Sequence, residues 1–325
     1  LNVYGGSARH KVAAPGFFRV LEKSNRWWLL DPEGCLYFSI GVNSVAPGRV
    51  GSTDLNAWAQ DTYSLLKDAG FNSLGRWSDH KPFQNIGKNI PWCASHSFMK
   101  DYAKKRPAKY GEARFPNETL PVFDEAWPIF CASYAKENAG PLKDDVWLLG
   151  HFSDNELPFR PDALKKYLAL PVDDAGHIAA AKWMQENRIR DRDVDDAEVQ
   201  AAFLYVVAKR YYDAVAAALK QADPNHIYIG SRLHGRCISE PVIKAAGACD
   251  VVSINYYHRW EAERERTKSW TKWSQKPFLV GEFYAMTVPK DKAVPKSSGA
   301  GFRVLNYEDA GDFYQHYTKS LLKDI

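Results

Sequence analysis

The sequence has few cysteines, no long apolar run and no large excess of one charge. Its 325 residues contain five scattered cysteines without a Cys-x-x-Cys pair, which argues against a disulfide framework and against a cysteine zinc site. No apolar run approaches the roughly 20 residues of a membrane span, so we expect no membrane partner. The 43 basic and 39 acidic side chains give a net charge of +4 with no basic stripe, and we therefore expect no nucleic-acid partner.

The motifs of several common active sites are also missing. No glycine-rich fingerprint follows an apolar strand, which argues against a nucleotide-binding Rossmann site, and no Gly-x-Ser-x-Gly turn is present to supply a hydrolase serine. His151, His234 and His258 match no metal-ligand spacing, so hydrogen bonding or substrate contact is favoured for them. We predict neither a metal nor a cofactor.

Apolar segments with strand-like composition alternate with helical patterns along the chain. After a hairpin predicted at 17–23 and 26–31, the predicted strands are 35–43, 71–77, 91–98, 146–156, 227–233, 251–257 and 278–283. The clearest predicted helices are 54–69, 124–138, 198–221 and 307–322. Ser52 or Thr53 is the predicted cap of the first helix. Continuously apolar strands that alternate with helices are typical of a parallel sheet, and seven such units favour a (β/α)8 TIM barrel of the α/β class.

The barrel accounts for most of the chain. Residues 1–16 carry Gly and Pro without periodicity and are predicted to be an arm or linker, which leaves 17–325 for the hairpin and the catalytic barrel. A charged, partly helical insertion is predicted at about 157–199. Because the sequence stops just after the seventh helix, we expect the eighth β/α unit to be absent from this chain. The sequence starts at Leu1 rather than Met and shows no signal peptide, so we expect a processed start and a secreted or periplasmic protein.

The predicted site is formed by polar and aromatic residues at or just beyond the carboxyl ends of the strands, where barrel enzymes place their catalytic groups. Glu156 and Glu282 are its predicted catalytic pair. The predicted substrate-binding residues are Asn43, Arg76, Trp77, His96, Asp154, Asn155, Arg232, His234, Asn255, Tyr256, Tyr257, His258 and Tyr284. At these strand ends, the aromatic rings are interpreted as sugar-stacking surfaces rather than as core.

Glu156 and Glu282 suit the hydrolysis of a glycosidic bond with retention. That reaction needs two carboxyl groups about 5–5.5 Å apart, and strands four and seven of an eight-stranded barrel face each other across its mouth. Asn155 can hydrogen-bond a sugar 2-hydroxyl, which favours Glu156 as the acid/base. The charge of Arg76 and a hydrogen bond from a tyrosine of strand six would keep Glu282 ionised as the nucleophile.

This arrangement resembles clan A of the retaining glycoside hydrolases, the 4/7 superfamily, and within it the agarases of family 50. The stretches that carry the resemblance are FFRVLEKSNRWWLLDPEGCLYFSIGVN, GFNSLGRWSD, LLGHFSDNELPF, SINYY and FLVGEFYA. The resemblance implies that Glu156 is the acid/base and Glu282 the nucleophile, and that the substrate is a galactan oligosaccharide or polysaccharide of the agarose type. It also implies an eighth strand that helps to form the subsite floor, from which this chain departs.

Other functions remain open at this point. Within the enzymes, the alternatives are a β-galactosidase and a porphyran-type hydrolase. Outside them, the alternative is a non-catalytic galactan-binding protein on an incomplete barrel.

Overall fold

An antiparallel sheet begins the chain in the computed structural model, which describes residues 1–24, 26–106, 115–288 and 300–323. Its four strands lie in the order β1-β4-β3-β2. They are β1 (Ser7–Lys11), β2 (Arg19–Lys23), β3 (Arg26–Leu30) and β4 (Cys35–Tyr37). The predicted hairpin is formed by β2 and β3, which pair antiparallel. The predicted arm 1–16 contains β1, an edge strand that pairs with β4, so part of that segment is ordered as sheet.

A five-stranded parallel sheet follows, with its strands in chain order. They are β5 (Gly41–Val42), β6 (Ser73–Leu74), β7 (Trp92–Ser95), β8 (Leu148–Phe152) and β9 (Ile227–Gly230). The single strand predicted at 35–43 is divided between β4 and β5. Asn72 explains the division, because its side chain donates to Phe38 O and accepts from Ile40 N–H, and so bonds the backbone between the two sheets.

A second parallel sheet and a two-stranded ribbon complete the strands of the described ranges. The sheet is β10 (Leu233–His234), β11 (Val252–Asn255) and β12 (Phe278–Glu282), and the ribbon is β13 (Ala285–Thr287) and β14 (Phe302–Val304). Gly230 and Arg232 have φ angles of 82° and 55°, and this left-handed backbone separates β9 from β10. Tyr228 O accepts from the backbone N–H of Asp250 and Val251, so the chain leading into β11 runs beside β9.

The described strands do not close into a barrel. Neither β5 nor β12 has a second neighbouring strand within the ranges that the structure covers. The described residues therefore form no closed barrel. The sequence predicted a (β/α)8 barrel without its eighth unit, and the structure shows a mixed α/β fold with two parallel sheets. The two outer strands still meet at their carboxyl ends, where Asn43 Nδ2 donates to Gly281 O at 2.9 Å.

Helices connect the parallel strands and cover them. They are α1 (Leu55–Asp68), α2 (Lys81–Asn85), α3 (Phe98–Lys105), α4 (Ala126–Asn138), α5 (Ala163–Leu168), α6 (Ala175–Glu186), α7 (Ala197–Ala222), α8 (Glu240–Ala245), α9 (Arg264–Ser274) and α10 (Tyr307–Leu322). The helix predicted at 54–69 is α1, but its cap is Asp54, whose side chain accepts from Ala57 N–H, rather than Ser52 or Thr53. None of the described helices has the length and apolar character needed to cross a membrane.

The largest apolar core lies between the strands and the long helix α7. It includes Trp127 of α4 and Phe203 and Tyr211 of α7, all buried. The predicted insertion 157–199 contributes α5 and α6 to the same core. Tyr167 of α5 is buried there and bonds the backbone of Leu120 through both its donor and its acceptor capacity.

Candidate active site

The carboxyl ends of the parallel strands carry non-glycine residues with left-handed backbone. Ser44, Trp77, Glu156, Arg232 and His258 all have φ angles between 54° and 62°. Each such residue costs of order 1 kcal/mol or more, and strained backbone of this kind clusters at functional sites. The ends of the parallel strands are therefore the candidate location of the active site.

Glu282 ends β12 and is held by two side chains. Arg232 Nη2 lies 2.5 Å from Glu282 Oε1, and the Tyr257 hydroxyl donates to Oε2. Only 13% of the Glu282 side chain is exposed. Burial and then the Glu282 carboxylate raise the pKa of Tyr257 far above its ordinary value, so this hydroxyl keeps its proton and remains a donor.

Glu156 lies beyond β8 and is more open to solvent. Asn255 Nδ2 donates to its Oε1 at 2.8 Å, and His234 Nδ1 lies 3.9 Å from the same oxygen. Its side chain is 35% exposed. Its backbone N–H donates to Arg232 O at 3.3 Å, which ties the loop after β8 to the break between β9 and β10.

Asn255 brings the two glutamates into one cluster. Its side chain bonds Glu156, while its backbone is the register partner of Glu282 in the pairing of β11 with β12. Gly281 permits this approach, since a Cβ there would lie 2.9 Å from Asn255 Oδ1 and 3.2 Å from Arg232 Nε. Asn255 therefore connects the two glutamates, one through its side chain and the other through its backbone.

Arg232 is fully buried between two aromatic rings. Its Cζ lies 4.9 Å from the centre of the Trp77 ring and 5.3 Å from that of Phe152. Burial lowers its pKa to about 10, and the charge of Glu282 opposes this shift. The guanidinium therefore keeps its positive charge at neutral pH beside Glu282.

Several buried polar atoms of the cluster have no hydrogen-bond partner in the described part of the chain. They are Arg76 Nε, Asn155 Oδ1, Arg232 Nε and Nη1, His234 Nδ1, Asn255 Oδ1 and Glu282 Oε1, the last of which has only its ion pair with Arg232. Buried polar groups are normally satisfied, so a cluster of unsatisfied ones suits a ligand that is rich in hydroxyl groups. Together with one buried and one more open carboxyl group, the arrangement can transfer protons and supply a nucleophile.

Comparison with known proteins identifies the family of the chain. No family model matches the chain. A solved structure described as the crystal structure of BpGH50 superposes with a TM-score of 0.87 at 32% sequence identity, and the match covers 99% of this chain and 76% of that one. The chain belongs to glycoside hydrolase family 50.

More distant relatives of this family 50 chain bear agarase names. It is 22% identical to beta-agarase B of Vibrio sp. (strain JT0107), in a match that covers 87% of the chain. An exo-beta-agarase structure shares the fold, with a TM-score of 0.79 at 18% identity over 99% of the chain and 60% of that structure. The chain spans about 40% of the length of the Vibrio beta-agarase B.

The family 50 chain places most of its predicted site residues around the two glutamates. Near them lie Trp77, Asn155, Arg232, His234, Asn255 and Tyr257. The Tyr284 ring packs edge-on against Tyr257 at 5.6 Å, and His258 is exposed beside the same ring. Asn43 lies at the junction of β5 and β12, where it bonds the backbone next to Glu282.

The sequence predicted that the charge of Arg76 would keep Glu282 ionised, but the hydrogen bonds of Arg76 go to other residues. It is buried and donates to the backbone oxygens of Asp154 at 2.9 Å and His96 at 3.2 Å. Arg232 is the ion-pair partner of Glu282 instead. The sequence contained both arginines at strand ends, but only the tertiary structure, which brings the segment before β10 close to the end of β12, selects between them.

Three predicted substrate-binding side chains are buried away from the open part of the site. His96 bonds His151, Asp154 accepts from Met99 N–H and the Tyr211 hydroxyl, and Tyr256 donates to Glu263. These contacts hold the three side chains against other parts of the fold. For Tyr256 the reason is strand alternation, since Asn255 and Tyr257 point to the site and the residue between them points to the helices.

Sequence reasoning missed two residues that shape the site. Phe152 supplies the second ring against Arg232, and Gly281 leaves room for Asn255. The glycine directly before Glu282 was a usable signal, because glycine leaves room where another side chain crosses the backbone closely. Phe152 had no such signal, since it is one of several apolar residues in β8.

His151, Asp223 and His226 form the group of potential metal ligands that the described residues bring together. Asp223 Oδ2 lies 2.8 Å from both His151 Nε2 and His226 Nδ1. His226 Nε2 also contacts Asp145 O at 2.9 Å, so both ring nitrogens of His226 have a hydrogen-bond partner. Burial raises the pKa of Asp223, but the two histidine hydrogen bonds outweigh it and hold that pKa below its ordinary value. These hydrogen bonds thus explain why His151, Asp223 and His226 lie together.

Proposed function

We propose that this chain is a retaining glycoside hydrolase that cleaves β-galactosidic linkages in agarose-type galactans or their oligosaccharides. The observation that carries the proposal is the position of Asn255, which bonds Glu156 and pairs in register with Glu282. A pair of carboxyl groups with distinct surroundings is the requirement for this chemistry. The agarase names of the relatives support the substrate class.

The proposed reaction has two steps. Glu282 attacks the anomeric carbon while Glu156 gives its proton to the departing glycosidic oxygen, which yields a covalent glycosyl-enzyme. Glu156 then takes a proton from water as the water attacks the anomeric carbon and releases Glu282. Arg232 and Tyr257 hold the attacking carboxylate, and the unpaired Asn155 Oδ1 is available to a sugar hydroxyl near Glu156.

We also propose that the two parallel sheets form seven strands of a (β/α)8 barrel, with β9 and β10 as the two parts of the strand predicted at 227–233. Their parallel order and the helices between them support this interpretation. The bond between Asn43 and Gly281 supports it further, because it joins the first and last strands at the mouth.

Digestion of agarose, porphyran and a chromogenic β-galactoside by the same preparation tests the proposal. We expect oligosaccharide products from agarose, with the β-configuration of the new reducing end seen first by proton NMR. Glu282→Gln and Glu156→Gln should each lower kcat by at least about 1,000-fold. Glu137→Gln changes an exposed glutamate of α4 and should match wild type.

Four results would contradict the proposal. Products of inverted configuration would exclude the covalent intermediate, and wild-type turnover by Glu282→Gln would exclude that residue as nucleophile. Preferred cleavage of porphyran or of the simple galactoside would replace the agarose assignment. Binding of galactan without any product would favour the non-catalytic alternative.

A further inference from the structure

Arg232 contacts four separate parts of the site through one side chain. Its Nη2 lies 2.5 Å from Glu282 Oε1 and donates to Gly281 O at 3.0 Å. Its planar group also lies against the rings of Trp77 and Phe152. Guanidinium groups favour such combinations, since they bond carboxylates in their plane and stack on rings with their faces.

The backbone of Arg232 holds the second glutamate. Its carbonyl accepts from Glu156 N–H at 3.3 Å, and its own N–H donates to Ser253 Oγ at 2.8 Å. Its φ of 55° is strained for a residue with a side chain, so neighbouring contacts must stabilise this conformation. One residue therefore connects the loop that carries Glu156 with the carboxylate of Glu282.

Trp77 is the part of this assembly that a sugar could reach. Its side of the site is open, with 44% of the residue exposed, while the guanidinium groups of Arg76 and Arg232 lie 5.4 Å and 4.9 Å from its ring centre. A cation near a tryptophan ring attracts its π electrons and limits its movement. The position of the ring is thereby linked to the position of the Glu282 carboxylate.

We propose that Arg232 is a positioning residue that fixes the Trp77 ring and the Glu282 carboxylate relative to each other, with Trp77 as the stacking surface for the sugar attacked by Glu282. This inference rests on the proposed hydrolysis of galactans. Arg232 acts by positioning Trp77 and Glu282 and takes no direct part in the reaction. A lysine at 232 would keep the charge but lose the planar contact with both rings.

Kinetics of Arg232→Lys, Arg232→Met and Trp77→Ala on the galactan that wild type cleaves test the inference. Arg232→Met should lower kcat by ~100-fold and move the acidic limb of the pH profile to higher pH, because the carboxylate loses its cation. Arg232→Lys should keep the wild-type acidic limb, lower kcat by ~10-fold and raise KM, since the ring loses its support. Trp77→Ala should raise KM by ~10-fold and leave the acidic limb unchanged.

Arg210→Lys is the matched control. Arg210 of α7 also donates to a backbone carbonyl, Val122 O, and lies against a ring, Phe123 at 5.1 Å, but it is on an outer helix. It should show wild-type kcat, KM and pH profile. Thermal melting of each variant separates loss of fold from loss of positioning, and Arg232→Lys carries the test if Arg232→Met does not fold.

The outcomes distinguish this inference from the proposed function. If wild type cleaves galactan but both Arg232 variants behave like Arg210→Lys, the inference fails and the function stands. An acidic limb that is unchanged in a folded Arg232→Met also overturns it. If wild type cleaves no galactan, the proposed function fails and the role of Arg232 fails with it.

Discussion

Gly281 shows how closely single residues of the site depend on one another. It precedes Glu282 in β12, and its Cα lies where Asn255 and Arg232 cross the strand. Both of those side chains contact a glutamate, at 2.8 Å for Asn255 and 2.5 Å for Arg232. A single methyl group at this position would therefore disturb both carboxyl groups.

We expect Gly281→Ala to lower kcat by roughly 100-fold, because displacement of positioned groups by about 1 Å has effects of that size. Stability should fall by about 1–3 kcal/mol through overpacking. Activity assays and chemical denaturation measure the two effects.

Gly48→Ala provides the control for this substitution. A Cβ at Gly48 would meet no heavy atom within 4 Å, so we expect wild-type activity and stability. Equal behaviour of the two variants would show that Asn255 and Arg232 tolerate a side chain at 281.

Among the elements, helix α1 illustrates how local sequence can indicate a helix but not its first residue. The apolar spacing predicted 54–69, and α1 is Leu55–Asp68. Ser52, Thr53 and Asp54 are all good capping residues in sequence, so composition could not choose among them. The backbone geometry selects Asp54, whose Oδ1 accepts from Ala57 N–H at 3.0 Å.

Asp54→Ala should lower the free energy of unfolding by about 1 kcal/mol, the usual effect of losing a capping side chain. Thr53→Ala should be close to neutral. Urea denaturation of the two variants measures the difference. A larger loss for Thr53→Ala than for Asp54→Ala would show that the helix begins at the earlier residue.

The strands β7 and β8 share a buried pair of histidines that links stability to pH. His96 Nε2 lies 3.0 Å from His151 Nδ1. Burial, then the neighbouring His151 and Arg76, lowers the pKa of His96 to about 3. An unfolded chain protonates this histidine near pH 6.5. Between pH 6.5 and about 3 the unfolded state therefore binds the proton that the folded state refuses, and stability falls as the pH falls.

His96→Gln should flatten this dependence. Going from pH 6.5 to pH 4.5, the wild type should lose about 2–3 kcal/mol more than the variant, at about 1.4 kcal/mol per pH unit. Asp154 has the opposite effect, since burial raises its pKa to about 7, but it is present in both proteins and cancels in the comparison.

Unfolding curves across this pH range provide the measurement. His10→Gln, at an exposed histidine of β1, should keep the wild-type dependence. Equal pH dependence of the His96 variant and wild type would contradict the assignment of the effect to His96.

At the scale of the whole molecule, the outer edges of the two parallel sheets are exposed. Phe38 and Ile40, next to β5, are 44% and 43% exposed, and β12 is only partly buried along its length. Exposed apolar side chains beside a strand edge favour association with another chain.

We expect Ile40→Lys to reduce concentration-dependent self-association without lowering the melting temperature. Ile129→Lys places the same charge on the exposed surface of α4 and should leave association unchanged. Sedimentation velocity over a range of concentrations distinguishes the two. If both variants associate as wild type does, this edge is excluded as the contact surface.

The sequence by itself determined the alternation of strands and helices, because apolar runs and helical spacing are local properties of the chain. It also indicated Glu156, Glu282 and a tyrosine of strand six, since each follows an apolar strand. Tertiary structure decided which groups meet. The ion pair of Glu282 with Arg232 instead of Arg76 depends on strand register, and the burial of His96, Asp154 and Tyr256 depends on the direction of each side chain. Contacts between residues far apart in sequence are set by packing, and no local pattern encodes them.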